Sequence, residues 1–198
     1  STTVEREAAV YGAGGFSGFG SRLENFWTLD RLPLRTPSLQ PASYTLGDRP
    51  GHLTINVTGD DGAKPLTPTD PKFPWAHRTL PPDTDWSLHG KVRLESLQFG
   101  NFQTGVLAQF NEGGEDNHYA VAMLDGKDLG ALKVGPAGVE LLGSIPWDDS
   151  DATVRLRRAG DQLHFDYRQD KVWQPIHMVE LTAGTEAGEG GLFLATDL

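Results

Sequence analysis

Side chains able to bind or transform a ligand gather at three places in this sequence. In FPWAHRTL, from Phe73 to Leu80, strand alternation sets Trp75 and His77 on one face and Arg78 on the other. An indole beside a ring donor can hold a sugar, the aromatic stacking on C–H faces while the donor takes a hydroxyl. The same spacing equally suits a core tryptophan next to a satisfied, buried histidine. Acidic residues form the other two groups: Glu112, Glu115 and Asp116 in NEGGEDN, and Asp148, Asp149 and Asp151 in WDDSD. Acids in turns are as a rule solvated hairpin tips. Loop carboxylates are also what a calcium ion takes, though neither group has the spacing of a recognised calcium loop.

Covalent chemistry finds less support. Hydrolysing a glycosidic bond takes two carboxylates, roughly 5 Å or roughly 6.5–9.5 Å apart. Alternate positions of one strand, about 7 Å apart, would supply such a pair. No Glu-x-Asp-x-x-Glu strand of that kind occurs. The six histidines show no metal-ligand spacing, and no Gly-x-Ser-x-Gly elbow is present. GAGGFSGFG, Gly12 to Gly20, has the glycines of a phosphate loop but not its Lys-Ser/Thr ending. A lyase working through His77, Arg78 and Tyr119 is the enzymatic alternative that these residue types leave open.

The elements that must position these groups read as strands. HGKVRLESLQF places Val92 and Leu94 on one face, with Lys91, Arg93 and Glu95 on the other. GVLAQFN turns Val106, Ala108 and Phe110 inward and Leu107 and Gln109 outward, and HYAVAML is apolar on both faces, as a central strand is. TVRLRRAGDQLHFDYR is a hairpin with Val154, Leu156, Leu163, Phe165 and Tyr167 facing inward. Gly and Pro interrupt each long helical window. The expected architecture is therefore all-β, a two-sheet antiparallel β-sandwich. Residues 1–15 read as an arm or linker before the sandwich of residues 16–198. DGAKPLTPTDPKFP, Asp61 to Pro74, reads as a long loop between strands, either one that carries function or a solvated crossover. Trp27, Trp86 and Trp173 are expected in the core.

Composition narrows the partners. The 198 residues carry a net charge of −10, which argues against nucleic acid. No apolar run approaches the ~20 residues of a membrane helix, so no membrane partner is expected. The absence of cysteine removes disulfides and thiolate metal sites. The first residues, STTVERE, lack an initiating Met, as in a processed or trimmed chain.

Five stretches taken in order resemble a known domain. FSGFGSRLENFWTLDRLP, RPGHLTI, TGVLAQFNEGGEDNHYAVAM, TVRLRRAGDQLHFDYRQDKVWQPI and GLFLATDL are similar to successive strands of the C-terminal concanavalin A-like (jelly-roll) domain of glycoside hydrolase family 43 β-xylosidases and arabinofuranosidases. That resemblance implies a non-catalytic accessory or carbohydrate-binding domain of a secreted plant-polysaccharide-degrading enzyme. Its partners would be a xylan- or arabinan-type glycan or an attached catalytic domain, because the propeller bearing that family's hydrolytic acids has no counterpart among these motifs. The expected glycan lining is Trp75, His77, Arg78 and Gln109, with Trp147 at the rim. By the same resemblance Asp197 in GLFLATDL implies a structural calcium at the sandwich edge; no other cofactor is required. A free-standing hydrolase or lyase, and a purely structural support, are the competing expectations.

Overall fold

Apolar residues at every second position dictate strands that bury one face, and the computed structural model shows how these strands are paired. It describes residues 2–4, 9–12, 27–36, 38, 40–46, 48, 52–57, 64–67, 73–94, 101–124 and 127–197, with the backbone alone for 2–4, 9–12, 101 and 196–197. The strands are β1 (Thr2–Val4), β2 (Ala9–Gly12), β3 (Thr28–Asp30), β4 (Ala42–Thr45), β5 (Leu53–Val57), β6 (Trp75–Thr79), β7 (Trp86–Leu94), β8 (Asn101–Glu112), β9 (Glu115–Leu124), β10 (Asp128–Gly135), β11 (Gly138–Pro146), β12 (Asp151–Ala159), β13 (Gln162–Gln169), β14 (Val172–Glu180) and β15 (Glu186–Asp197). One sheet runs β14-β13-β12-β7-β1-β5-β4, with β2 also on β7; the other runs β11-β10-β9-β8-β15-β6-β3. The named strands pair antiparallel, and one isolated parallel bridge joins Leu34 to Tyr44 of β4. The protein is an antiparallel β-sandwich. Among the described residues no helix is long and apolar enough to cross a membrane.

The expected alternation holds on both layers. Leu88, Val92, Val154, Leu156, Leu163 and Phe165 of the first sheet meet Val106, Ala108, Phe110, Val121, Met123 and Leu192 of the second in one buried core. Trp27 and Trp86 belong to it, as the sequence implies. Two stretches of the expected arm, residues 2–4 and 9–12, pair with β7, the first of them also with β5.

The second sheet is buried on its outer side too. Leu107, Ala120, Ala122, Leu132 and Phe193 form a further apolar cluster there with Trp75, Leu66 and Phe73. Leu66 and Phe73 come from the Pro/Thr-rich connection between β5 and β6, so that loop folds back as a cover. Among its described residues, Leu66 and Phe73 reach down to the strands, and the Pro74 carbonyl accepts from the Leu194 N–H at 3.1 Å.

Candidate functional site

The cover decides the fate of the first expected site. Trp75 and His77 do share the outer face of β6, and their rings stack at 3.9 Å with 19° between planes. Trp75 is only 2% exposed, packed against Phe73 at 5.9 Å, so its ring is not presented to a ligand. His77 is 8% exposed; its Nδ1 lies 3.0 Å from Glu189 Oε2 and its Nε2 2.8 Å from Asp30 Oδ2. Thr79 donates to the other oxygen of Glu189 at 2.9 Å. Both imidazole nitrogens are thereby engaged, and the ring staples β3, β6 and β15 together. Arg78 points to the opposite side of β6, where partial burial lowers its pKa. Gln109 sits on the outer face of β8 with its amide 3.0 Å from His118 Nε2. Burial holds His118 at a pKa of about 4, so its neutral ring accepts that hydrogen bond. Trp147 lies apart from these four. The side chain of Asp197 falls outside the described residues; its backbone pairs with Asn101 on β8.

Trp147 instead helps to form a cleft of about 500 Å³ at the end of the first sheet. The segment after β11 places it there: its indole N–H donates to the Asp151 carbonyl at 2.9 Å, and its backbone N–H to the Lys127 carbonyl at 2.7 Å. Its ring meets Tyr167 of β13 edge-on, centroids 5.7 Å apart and planes at 77°. Lys91 of β7 reaches Asp151 Oδ2 at 3.6 Å and anchors the same segment. Arg168, Gln169, Asp170 and Lys171 form the opposite wall. The lining holds no histidine, serine or cysteine, and is chiefly carboxylates, ammonium and guanidinium groups around two aromatic rings. Such a surface can bind a polyhydroxylated ligand; the nucleophile types it holds include the carboxylates of Asp148, Asp149, Asp151 and Asp170 and the hydroxyl of Thr153. Among the described residues no group of three or more His, Cys, Asp or Glu side chains converges to hold a metal ion. In the other acidic turn, Glu112 accepts from Asn117 and Tyr119, each at 2.8 Å, and Asn111 donates to Asp116 at 3.2 Å.

The lip of the cleft is strained. Asp170 and Lys171, between paired Gln169 and Val172, take φ of 50° and 65°, the mirror-image geometry of a two-residue hairpin turn. Asp tolerates it, whereas lysine does so at a cost. Replacing Lys171 with Gly relieves the strain but enlarges the unfolded ensemble. A net gain of about 0.5 kcal/mol is expected, raising Tm by roughly 1–2 °C. Thermal unfolding checks this; a lower Tm would show that Lys171 contributes contacts worth more than the strain.

Trp173, expected in the core, lies on the outer face of the first sheet. The register shifts between Phe165 and Asp166 where β13 meets β14, so His177 and Val179 pair with the inward Phe165 and Leu163, but beyond the shift Gln174 pairs with the inward Tyr167. An extra residue reverses the alternation, and Trp173 emerges opposite Arg168. The Arg155 guanidinium lies 4.1 Å from the Trp173 ring centroid, and His89 packs on it at 5.7 Å. Sequence reasoning found Trp147 but missed Lys91, Tyr167, Arg168 and Lys171 as its neighbours. A shared outward face was visible for Lys91, whereas the pairing that joins it to β13 through β12 was not.

No family model and no curated protein matches this sequence. Solved structures do share the fold. The GH43 protein BlXynB of Bacillus licheniformis superposes with a TM-score of 0.58 at 15% identity, over 88% of this chain and 37% of that one. A xylan β-1,4-xylosidase of Bacillus halodurans superposes with a TM-score of 0.54 at 15% identity, over 90% and 38%. A functionally unknown protein of Saccharomyces cerevisiae gives 0.50 at 11% identity, over 87% and 97%. The chain thus spans little more than a third of the two bacterial proteins, and what it shares with them is the fold.

Proposed function

We propose that this chain is a non-catalytic accessory sandwich that binds a plant cell-wall glycan of xylan or arabinan type and works beside a glycoside hydrolase catalytic domain. The observation that carries the reading is the cleft of about 500 Å³, with Trp147 and Tyr167 among polar side chains. Its size is that of a small-ligand site, and its chemistry is that of aromatic and hydroxyl-binding groups without histidine, serine or cysteine. The fold shared with parts of a GH43 protein and a xylan β-1,4-xylosidase supports the class of partner. Val139 and Leu141, exposed at 48% and 54% on one face of edge strand β11, support attachment of that sandwich to a neighbouring domain.

Affinity electrophoresis in gels containing arabinoxylan, arabinan or β-glucan tests the reading. Retardation is expected on at least one of the first two, and Trp147→Ala should weaken it about tenfold, the loss typical of an aromatic anchor. Unchanged melting of Trp147→Phe would separate loss of contact from loss of fold. A wild-type chain that runs unretarded in every gel overturns glycan binding and leaves a scaffold. Release of reducing ends or unsaturated products from any of these polymers overturns the non-catalytic assignment.

A further inference from the structure

The outer face of the first sheet is basic on an otherwise acidic protein. Strand pairing lays it out in rows: Ser87, Arg157 and His164; then His89, Arg155 and Asp166; beyond them Lys91 pairs with Thr153 and Arg168 with Trp173. Asp166 is taken by Arg155, with Nε and Nη2 donating to one carboxylate oxygen at 2.9 and 2.6 Å. Asp151 faces Lys91. Glu180, at the edge, accepts from Gln162 at 2.8 Å. Arg157 and Arg168 are then left without an ion pair among the described residues. Trp173 orders this surface, with Arg155 over its ring and Arg168 5.9 Å from the ring centroid.

We infer that this face binds the carboxylates of uronic acid substituents on the glycan whose backbone occupies the neighbouring cleft. The inference rests on the glycan-binding reading and extends it to the substrate class. Arg168 and Lys91 belong to both surfaces, since they also line the cleft, so a chain in the cleft passes directly beside them. Arg157 and Arg168 lie four residues apart along the strands, about 13 Å, so they serve separate substituents rather than one. Burial, and after it the nearby charges of Arg155 and Arg168, holds His89 at a pKa of about 4; burial and then Arg157 and Arg155 lower that of His164 against the opposing pull of Asp166 and Glu180. The arginine contributions, unlike the burial, are of the sign that favours a carboxylate. A densely charged nucleic acid suits the site less well. The whole chain carries −10, and only charges within a Debye length of about 8–10 Å of the patch gain from it.

The test compares 4-O-methylglucuronoxylan with the same polymer after reduction of its carboxyl groups, by affinity electrophoresis and titration calorimetry at 50 and 300 mM NaCl. The acidic polymer should bind roughly tenfold more tightly than the reduced one at low salt, and the gap should close at high salt. Arg157→Gln alone should narrow the gap between the two polymers about threefold while leaving the affinity for the reduced polymer within about twofold, because Arg157 lies outside the cleft. Equal wild-type affinity for both polymers overturns the inference and leaves the glycan-binding reading intact. Failure to bind either overturns both. Equal binding of a single-stranded DNA oligonucleotide would also overturn it, by making the patch a general polyanion site.

Discussion

Arg158→Met is expected to cost about 3 kcal/mol of stability and to lower Tm by roughly 6–12 °C. Arg158 is 5% exposed at the end of β12, and its guanidinium hydrogen-bonds to carbonyls of three separate segments. Nε donates to Gly160 at 3.0 Å, Nη1 to Pro82 at 2.6 Å and Nη2 to Thr185 at 2.8 Å. Pro82 also accepts from the Ala187 N–H at 2.8 Å, so methionine leaves that oxygen one partner but strips the guanidinium from the other two. Methionine matches the stem and bulk of arginine, which confines the loss to hydrogen bonds. Lysine should recover only part of it, since one ammonium cannot reproduce a planar fork. Urea unfolding of the wild type and both variants checks the order. Equal midpoints for wild type and Arg158→Met would show that the arginine's own desolvation cancels its bonds.

Gly191→Ala is expected to destabilise by a comparable amount, about 3 kcal/mol, for a steric reason. Gly191 of β15 lies between His77 of β6 and Leu107 of β8. A methyl there would strike the Ala76 carbonyl oxygen and come within 2.6 Å of the His77 Cα, both backbone atoms of a paired strand. Backbone cannot rotate aside as a side chain can, so β6 must move and the His77 bridge to Asp30 and Glu189 must stretch with it. Gly188, on the same strand, is the control. A methyl there meets nothing nearer than 3.9 Å, and Gly188→Ala should stay within about 0.5 kcal/mol of wild type. Thermal melts of the two variants decide the matter; equal Tm values would mean that the sheet absorbs the methyl by local adjustment.

Amino-acid order alone determined the layered architecture, because period-two burial is a local property. The charged partners of Val92 and Leu94, and the inward sets Val106–Phe110 and Val154–Phe165, were legible without knowing what they pack on, since any strand that buries one face must alternate in this way. The shared face of Trp75 and His77 was legible on the same ground. Exposure of that face was not. Leu66 and Phe73, from a loop whose composition suggests a functional loop or a solvated crossover, cover the outer side of the second sheet and turn an aromatic–histidine pair into packing. Trp173 went the other way: one extra residue in β14, opposite Phe165 and Asp166, reverses the alternation and carries the indole from the core to the surface. A bulge depends on how two strands match across the sheet, and neither strand states that by itself. The cleft and the basic face arise likewise from residues up to 80 positions apart, Lys91 to Lys171, that meet only because β7, β12, β13 and β14 lie side by side. Which strands become neighbours is settled by the burial of the whole sandwich, so the ligand surfaces were a decision of the tertiary structure.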